Sequence, residues 1–126
     1  MSSVVSDVHT LGLLAVIVVR NGTLPAGADE ATAEAGGIAV LVGTGAAEAA
    51  EHLTTASEVT TIEIEPHTKS MVAALAANTS AQRAYGIVLP ASPDGRDLAP
   101  ALAHELGRTL FANALGVKIT DRKSVV

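Results

Sequence analysis

Unbroken apolar runs alternate along the chain with polar, glycine-rich and proline-rich turns. Leu13–Val19 and Ile38–Val42 are continuously aliphatic, the pattern of strands buried on both faces as in a parallel sheet. Tyr85–Leu89 is a further run of this kind. Val59–Ile64 alternates apolar with polar residues, which predicts an edge strand. Thr109–Phe111 predicts a short fifth strand. Between the runs the spacing predicts helices. One covers Asp29–Ala35 and stops at Gly36-Gly37. A second covers Ala46–Thr54, after the turn Gly43-Thr44-Gly45. A third is capped by Thr68 and runs to about Arg83, with Met71, Val72, Leu75 and Ala76 as its core stripe. A fourth is capped by Asp97, carries Pro100 in its first turn and ends at Leu106 before Gly107. Val117–Thr120 and Lys123–Val126 read as two arms around an Asp121-Arg122 turn.

This β-α-β-α rhythm predicts an α/β fold. The expectation is a three-layer, doubly wound, mostly parallel sheet of Rossmann-like type with strand order 3-2-1-4-5. Residues 1–10 read as a flexible tail and 11–126 as a single domain. A domain of 126 residues buries roughly two-thirds of its unfolded surface. With one Phe, one Tyr and no Trp, alanine, valine and leucine must fill that core, with small residues where the layers approach.

The net charge of −5 removes the basic footprint expected of a nucleic-acid binder and of a polybasic membrane patch. The absence of cysteine excludes disulfides, thiolate metal sites and cysteine nucleophiles. The longest apolar run, Leu11–Val19, is too short to span a bilayer. Asp7 before it and Arg20 after it do not suit a signal peptide. A cytoplasmic location without membrane insertion is the expectation.

Gly43-Thr44-Gly45-Ala46-Ala47-Glu48 imitates a dinucleotide fingerprint, and Glu63 follows about twenty residues on, where a ribose-binding acid would stand. Three features oppose that reading. Glu48 replaces the third glycine, it adds negative charge near a pyrophosphate, and the motif follows the second strand rather than the first. A tight turn of small residues explains the motif better. No pair among His9, His52, His67 and His104 has metal-ligand spacing, and no metal site is expected. Ser92, His104 and Asp97 could compose a hydrolase only with a strained nucleophile elbow, but Ala91-Ser92-Pro93 lacks the flanking glycines. Ser92 reads instead as a turn or cap residue.

The richest stretch is Leu89–Ala101, a strand end that turns through Pro93-Asp94-Gly95 into a helix. Gly95 offers backbone freedom, Asp97 a cap, and Arg96 a cation that can reach outward or pair locally with an aspartate. In the order 3-2-1-4-5 the carboxyl ends of strands one and four border the switch-point crevice. This sets Arg20, Asn21 and Gly22 beside Ser92, Asp94, Gly95, Arg96 and Asp97, the candidate docking or switch-point loop.

Leu89-Pro90-Ala91-Ser92-Pro93-Asp94-Gly95-Arg96-Asp97-Leu98-Ala99-Pro100 resembles the strand–loop–helix block of the amino-terminal domain of electron transfer flavoprotein alpha subunits. The resemblance runs from about Leu13 to Lys123. Val18–Glu30, with Arg20-Asn21-Gly22-Thr23-Leu24-Pro25, looks like the actinobacterial, mycofactocin-associated type. The resemblance implies an electron-transfer component rather than a catalyst in its own right. It implies a heterodimer with a beta subunit, and electrons received from flavoprotein or mycofactocin-linked dehydrogenases. It also implies FAD in the assembly, held mainly by a carboxy-terminal domain with no counterpart in this chain. No FAD-binding or catalytic residue carries over. Ala101 stands where many members have Arg, and the first helix is short. The alternative is a nucleotide-binding domain resembling universal stress proteins, but Pro90–Gly95 holds a single glycine where those proteins have a glycine-rich phosphate segment.

Overall fold

A computed structural model of the chain describes residues 13–78, 81, 86–90 and 92–106. The elements in chain order are β1 (Leu13–Val19), α1 (Ala28–Glu34), β2 (Ile38–Gly43), α2 (Ala46–Ala50) and β3 (Glu58–Glu63). They continue as α3 (Thr68–Ala76), β4 (Gly86–Val88) and α4 (Pro93–Leu106). The described strands form one parallel sheet in the order β3-β2-β1-β4. This is the doubly wound α/β arrangement, with β3 at the edge as its polar alternation implies. The expected fifth strand at Thr109–Phe111, the arms at Val117–Thr120 and Lys123–Val126, the tail at 1–10, Arg83 and Tyr85 lie outside the described residues.

Side-chain alternation along β1 divides the interior into two cores. Leu14, Val16 and Val18 face α3 and α4, where Met71, Leu75, Leu98 and Leu102 meet Val40, Val42, Ile87 and Leu89. Ala15, Ile17 and Val19 face α1 and α2. Those two helices contribute mainly alanines to that core, namely Ala28, Ala31, Ala46 and Ala49, with Leu53 just beyond. Short side chains let α1 and α2 lie close to the strands, so the large aliphatics there come from the sheet, chiefly Ile17 and Leu41. Each fully buried Leu or Ile contributes roughly 1.5–3 kcal/mol, so both cores matter. The buried Thr32 hydroxyl donates to the Ala28 carbonyl at 2.8 Å, which removes the cost of an unpaired polar group.

Helix boundaries differ from the sequence reading where local bonding decides them. Helix α1 begins one residue early, after Gly27 at φ +86°, and ends at Glu34, beyond which the N–H groups of Gly36 and Gly37 donate to the Ala33 and Thr32 carbonyls. Beyond Ala50 the chain makes i→i+3 bonds, His52 to Ala49 and Leu53 to Ala50, so α2 tightens instead of reaching Thr54. Thr68 is the first helical residue of α3 rather than its cap; His67 occupies the cap position, without a side-chain cap bond. Helix α3 ends at Ala76, and the Asn78 side chain then accepts from the Ala81 N–H at 2.9 Å. Met71 and Leu75 are buried, as their spacing implies.

The largest correction concerns α4. It starts at Pro93, not after Asp97, so Asp97 lies inside the helix and is exposed. Ser92 is the cap: its Oγ accepts from the Gly95 N–H at 3.1 Å and its carbonyl from the Arg96 N–H at 2.9 Å. Pro93 takes the first helical position, where a missing N–H costs nothing. Pro100 therefore falls in the helix interior and denies the Arg96 carbonyl its usual donor. Proline there costs about 3 kcal/mol relative to alanine, while its restriction of the unfolded chain returns under about 1 kcal/mol. Pro100→Ala is accordingly expected to raise unfolding stability by about 2 kcal/mol in urea titration; an unchanged midpoint would mean that the helix absorbs the proline without loss.

Candidate functional site

The carboxyl ends of the strands carry the loops that define the site, and glycine permits their close approach. A Cβ on Gly43, at φ +141°, would collide with the Val19 carbonyl oxygen. A Cβ on Gly45 would stand 2.6 Å from the Gly22 Cα. Backbone thus lies on backbone at the ends of β1 and β2. The contact is fastened by Thr44: its N–H donates to Val19 at 3.1 Å, its carbonyl accepts from Gly22 at 2.9 Å, and its hydroxyl accepts from the Asn21 N–H at 2.8 Å. Asn21 at φ +52° and Gly22 at φ +75° form the tight turn closed by the Thr23 N–H on the Arg20 carbonyl.

That turn aims Arg20 across the switch point. Its Nε and Nη2 each donate at 2.8 Å to the two oxygens of Asp94, a bidentate pair spanning 74 residues of sequence. The expected crevice between β1 and β4 therefore exists as a neighbourhood, and this ion pair bridges it. Asp94 is the second residue of α4, where the helix dipole also favours a carboxylate. The Arg20 hydrogen bonds hold the Asp94 carboxyl below the usual carboxylate range, partly against desolvation, and Asp94 raises the Arg20 guanidinium in turn.

Gly95 is needed for space rather than for unusual backbone angles. It is helical, and a Cβ there would run into the Pro90 carbonyl oxygen. Arg96 and Asp97 are exposed and make no ion pair among the described residues, so the local Arg–Asp arrangement is replaced by Arg20–Asp94. Ser92 is buried in its capping role, and His104 lies twelve residues on. At 1.5 Å per residue they stand on the order of 18 Å apart, so the helix does not assemble Ser92 and His104 into a catalytic unit.

The fingerprint-like turn holds the least expected feature. Glu63, at the end of β3, accepts from the Gly45 N–H at 3.0 Å and from the Ala47 N–H at 2.9 Å. A carboxylate from the neighbouring strand thus sits at the start of α2, where a pyrophosphate would lie in a dinucleotide-binding domain. Glu63 is a structural anchor rather than a ribose ligand. Glu48 extends over the first turn, its Oε1 2.8 Å from where a Gly22 Cβ would be. His52, His67 and His104 are exposed. No group of three metal-ligating side chains is assembled among the described residues, and no helix among them is long and apolar enough to cross a membrane.

No family model, no curated protein and no solved structure matches the chain.

Two outcomes are expected. Glu63→Ala leaves the Gly45 and Ala47 donors to water and should cost about 1 kcal/mol in urea unfolding; no loss would show that the two bonds carry nothing net. The Asp94 carboxyl is lowered in the folded state, so its contribution is complete above the unfolded value near ~4 and disappears as pH falls through the lower folded value. Asp94→Asn should therefore lower the melting temperature at neutral pH by a small amount, as an exposed pair allows, and the difference should vanish in strong acid. A difference that persists at the acid end would assign the effect to something other than this ion pair.

Proposed function

We propose that this chain is a docking and scaffold domain of an electron transfer flavoprotein alpha-type subunit. It acts with a beta subunit and with flavoprotein or mycofactocin-linked dehydrogenases, as a component of electron transfer rather than a catalyst. The reading rests on the resemblance of Leu13–Lys123 and is supported by the doubly wound fold. One observation carries it further. The switch-point charges are spent inside the domain, Arg20 on Asp94 and Glu63 on the start of α2, while Arg96 and Asp97 on the same loop–helix junction face outward. A junction fastened within and charged without suits a rigid surface presented to a partner.

FAD does not fit this edge of the domain. A pyrophosphate at α2 would meet the Glu63 carboxylate, and Arg20 already has a bidentate partner. The flavin of the assembly is therefore assigned to other parts of it. The Glu63 carboxylate, and the Asp94 carboxylate that occupies Arg20, likewise oppose ATP and with it the stress-protein alternative.

The test combines the purified chain with the matching beta subunit. The chain alone should be colourless and should form a one-to-one complex. Reversing Arg96 and Asp97 together (Arg96→Glu with Asp97→Lys) should weaken that complex by about tenfold or more while the fold persists by circular dichroism. Stoichiometric flavin in the isolated chain, saturable ATP binding by calorimetry, or failure to bind the beta subunit would each overturn the proposal.

A further inference from the structure

We propose that Asn21 is a self-modifying site: the Gly22 nitrogen displaces its side-chain amide whenever the Thr44 tie opens, and the isoaspartate that results disconnects Arg20 from Asp94. The inference does not rest on the electron-transfer reading. The chain holds three asparagines, Asn21, Asn78 and Asn113, and only Asn21 precedes a glycine. Gly22 has no side chain to hinder attack by its own nitrogen. Asn21 is exposed, and its side-chain amide makes no hydrogen bond among the described residues. The Asn78 amide oxygen, in contrast, is engaged by the Ala81 N–H.

The step needs only water. The Gly22 nitrogen gives up its proton and bonds to the Asn21 Cγ; the Cγ–Nδ2 bond breaks and ammonia leaves. Residues 21 and 22 are then joined in a cyclic imide, a succinimide. Water adds to either ring carbonyl and opens it. Addition at Cγ leaves aspartate in an ordinary chain. Addition at the backbone carbonyl leaves isoaspartate, whose chain runs through Cβ and Cγ. A water is consumed for each ammonia released, with no oxidant or reductant.

The fold sets the rate. The Gly22 N–H donates to the Thr44 carbonyl at 2.9 Å, and the Asn21 N–H donates to the Thr44 hydroxyl at 2.8 Å. Attack requires the Gly22 nitrogen to leave Thr44 and the backbone to rotate out of the turn held at φ +52° and +75°. Deamidation thus proceeds from a locally opened turn. Asp94-Gly95, across the ion pair, shows the opposite case. There the Gly95 N–H is bonded to Ser92 Oγ, and Arg20 holds Asp94 as a carboxylate, a poor target for a nucleophile.

The product matters because the turn has no slack. A Cβ on Gly45 would already stand 2.6 Å from the Gly22 Cα, and the Thr23 N–H closes the turn on the Arg20 carbonyl at 3.0 Å. Isoaspartate lengthens the backbone at the apex, so the Thr44 and Thr23 bonds lose register and Arg20 loses its aim. The aspartate product keeps the backbone, and aspartate tolerates the left-handed region.

Ageing the full chain at mildly alkaline pH tests this, each asparagine being followed by proteolysis and mass spectrometry. Isoaspartate is counted by enzymatic methyl transfer from labelled S-adenosylmethionine. Asn21 should convert first, yet about tenfold or more slowly than in the chain unfolded in guanidinium. Thr44→Val deletes the hydroxyl bond and should speed conversion about fivefold in the folded chain, with no change in guanidinium. The isoaspartate fraction should melt lower than the unaged chain at neutral pH, and adding Asp94→Asn should lower it no further. Asn21→Gly, which suits the left-handed turn, should keep its melting curve on ageing. Earlier conversion of Asn78 or Asn113 overturns the proposal. So do equal rates folded and unfolded, a Thr44→Val chain that ages no faster, or an isoaspartate chain that melts as before.

Discussion

The contact of bare backbone on backbone at the ends of β1 and β2 is the constraint from which the functional edge follows. Gly43 lies against the Val19 carbonyl and Gly45 against Gly22, and no side chain fits at either place. This proximity lets Thr44 satisfy three backbone partners at once. It holds the Asn21-Gly22 turn in its left-handed conformation, and that turn points Arg20 at Asp94. Glu63 adds the corresponding tie from β3 to α2. Every pair of neighbours in β3-β2-β1-β4 is thus joined at its carboxyl end by a polar link. The energies divide unequally. The exposed ion pair is weak, and the steric fit of the glycines dominates.

Much of this was legible because buried parallel strands write themselves as continuous apolar runs. Leu13–Val19 and Ile38–Val42 needed little else, and the alternation in Val59–Ile64 identified the edge, the strands observed being Leu13–Val19, Ile38–Gly43 and Glu58–Glu63. Strand order then set Arg20 near the loop of Asp94, although it could not name the pair. Asp97 resembles a cap in sequence, although α4 starts at Pro93. The better signal was Ser92 followed by Pro93, since serine caps and proline opens a helix, and their adjacency fixes the register. Gly95 is required by the Pro90 carbonyl above it, a contact that nothing local in the sequence announces. Glu63 anchoring α2 was invisible in principle. The bond joins residues 16 and 18 apart through two strands in register, and only the folded sheet brings them together.

The two faces of the sheet differ in how they are filled, and this bears on where function can reside. The α1–α2 face is tight, with alanines against strand backbone, and it leaves little room for change. The α3–α4 face carries the long aliphatics inward, Met71, Leu75, Leu98 and Leu102 among them. The polar-linked edge and the outer side of α3 and α4 are separate surfaces of the described fold.

The sheet order also has a consequence in time. β1 is made early and pairs with β2 through a short crossover, but its other edge stays open until β4 arrives some 70 residues later. Closing that long loop is the entropically slow step, and it is the one that Arg20–Asp94 seals. Until β4 arrives, β3-β2-β1 stands as a half-built sheet whose β1 edge presents unpaired backbone N–H and C=O groups. That open edge is a template for pairing with another chain, so the interval before β4 docks is when this sheet is most exposed to aggregation.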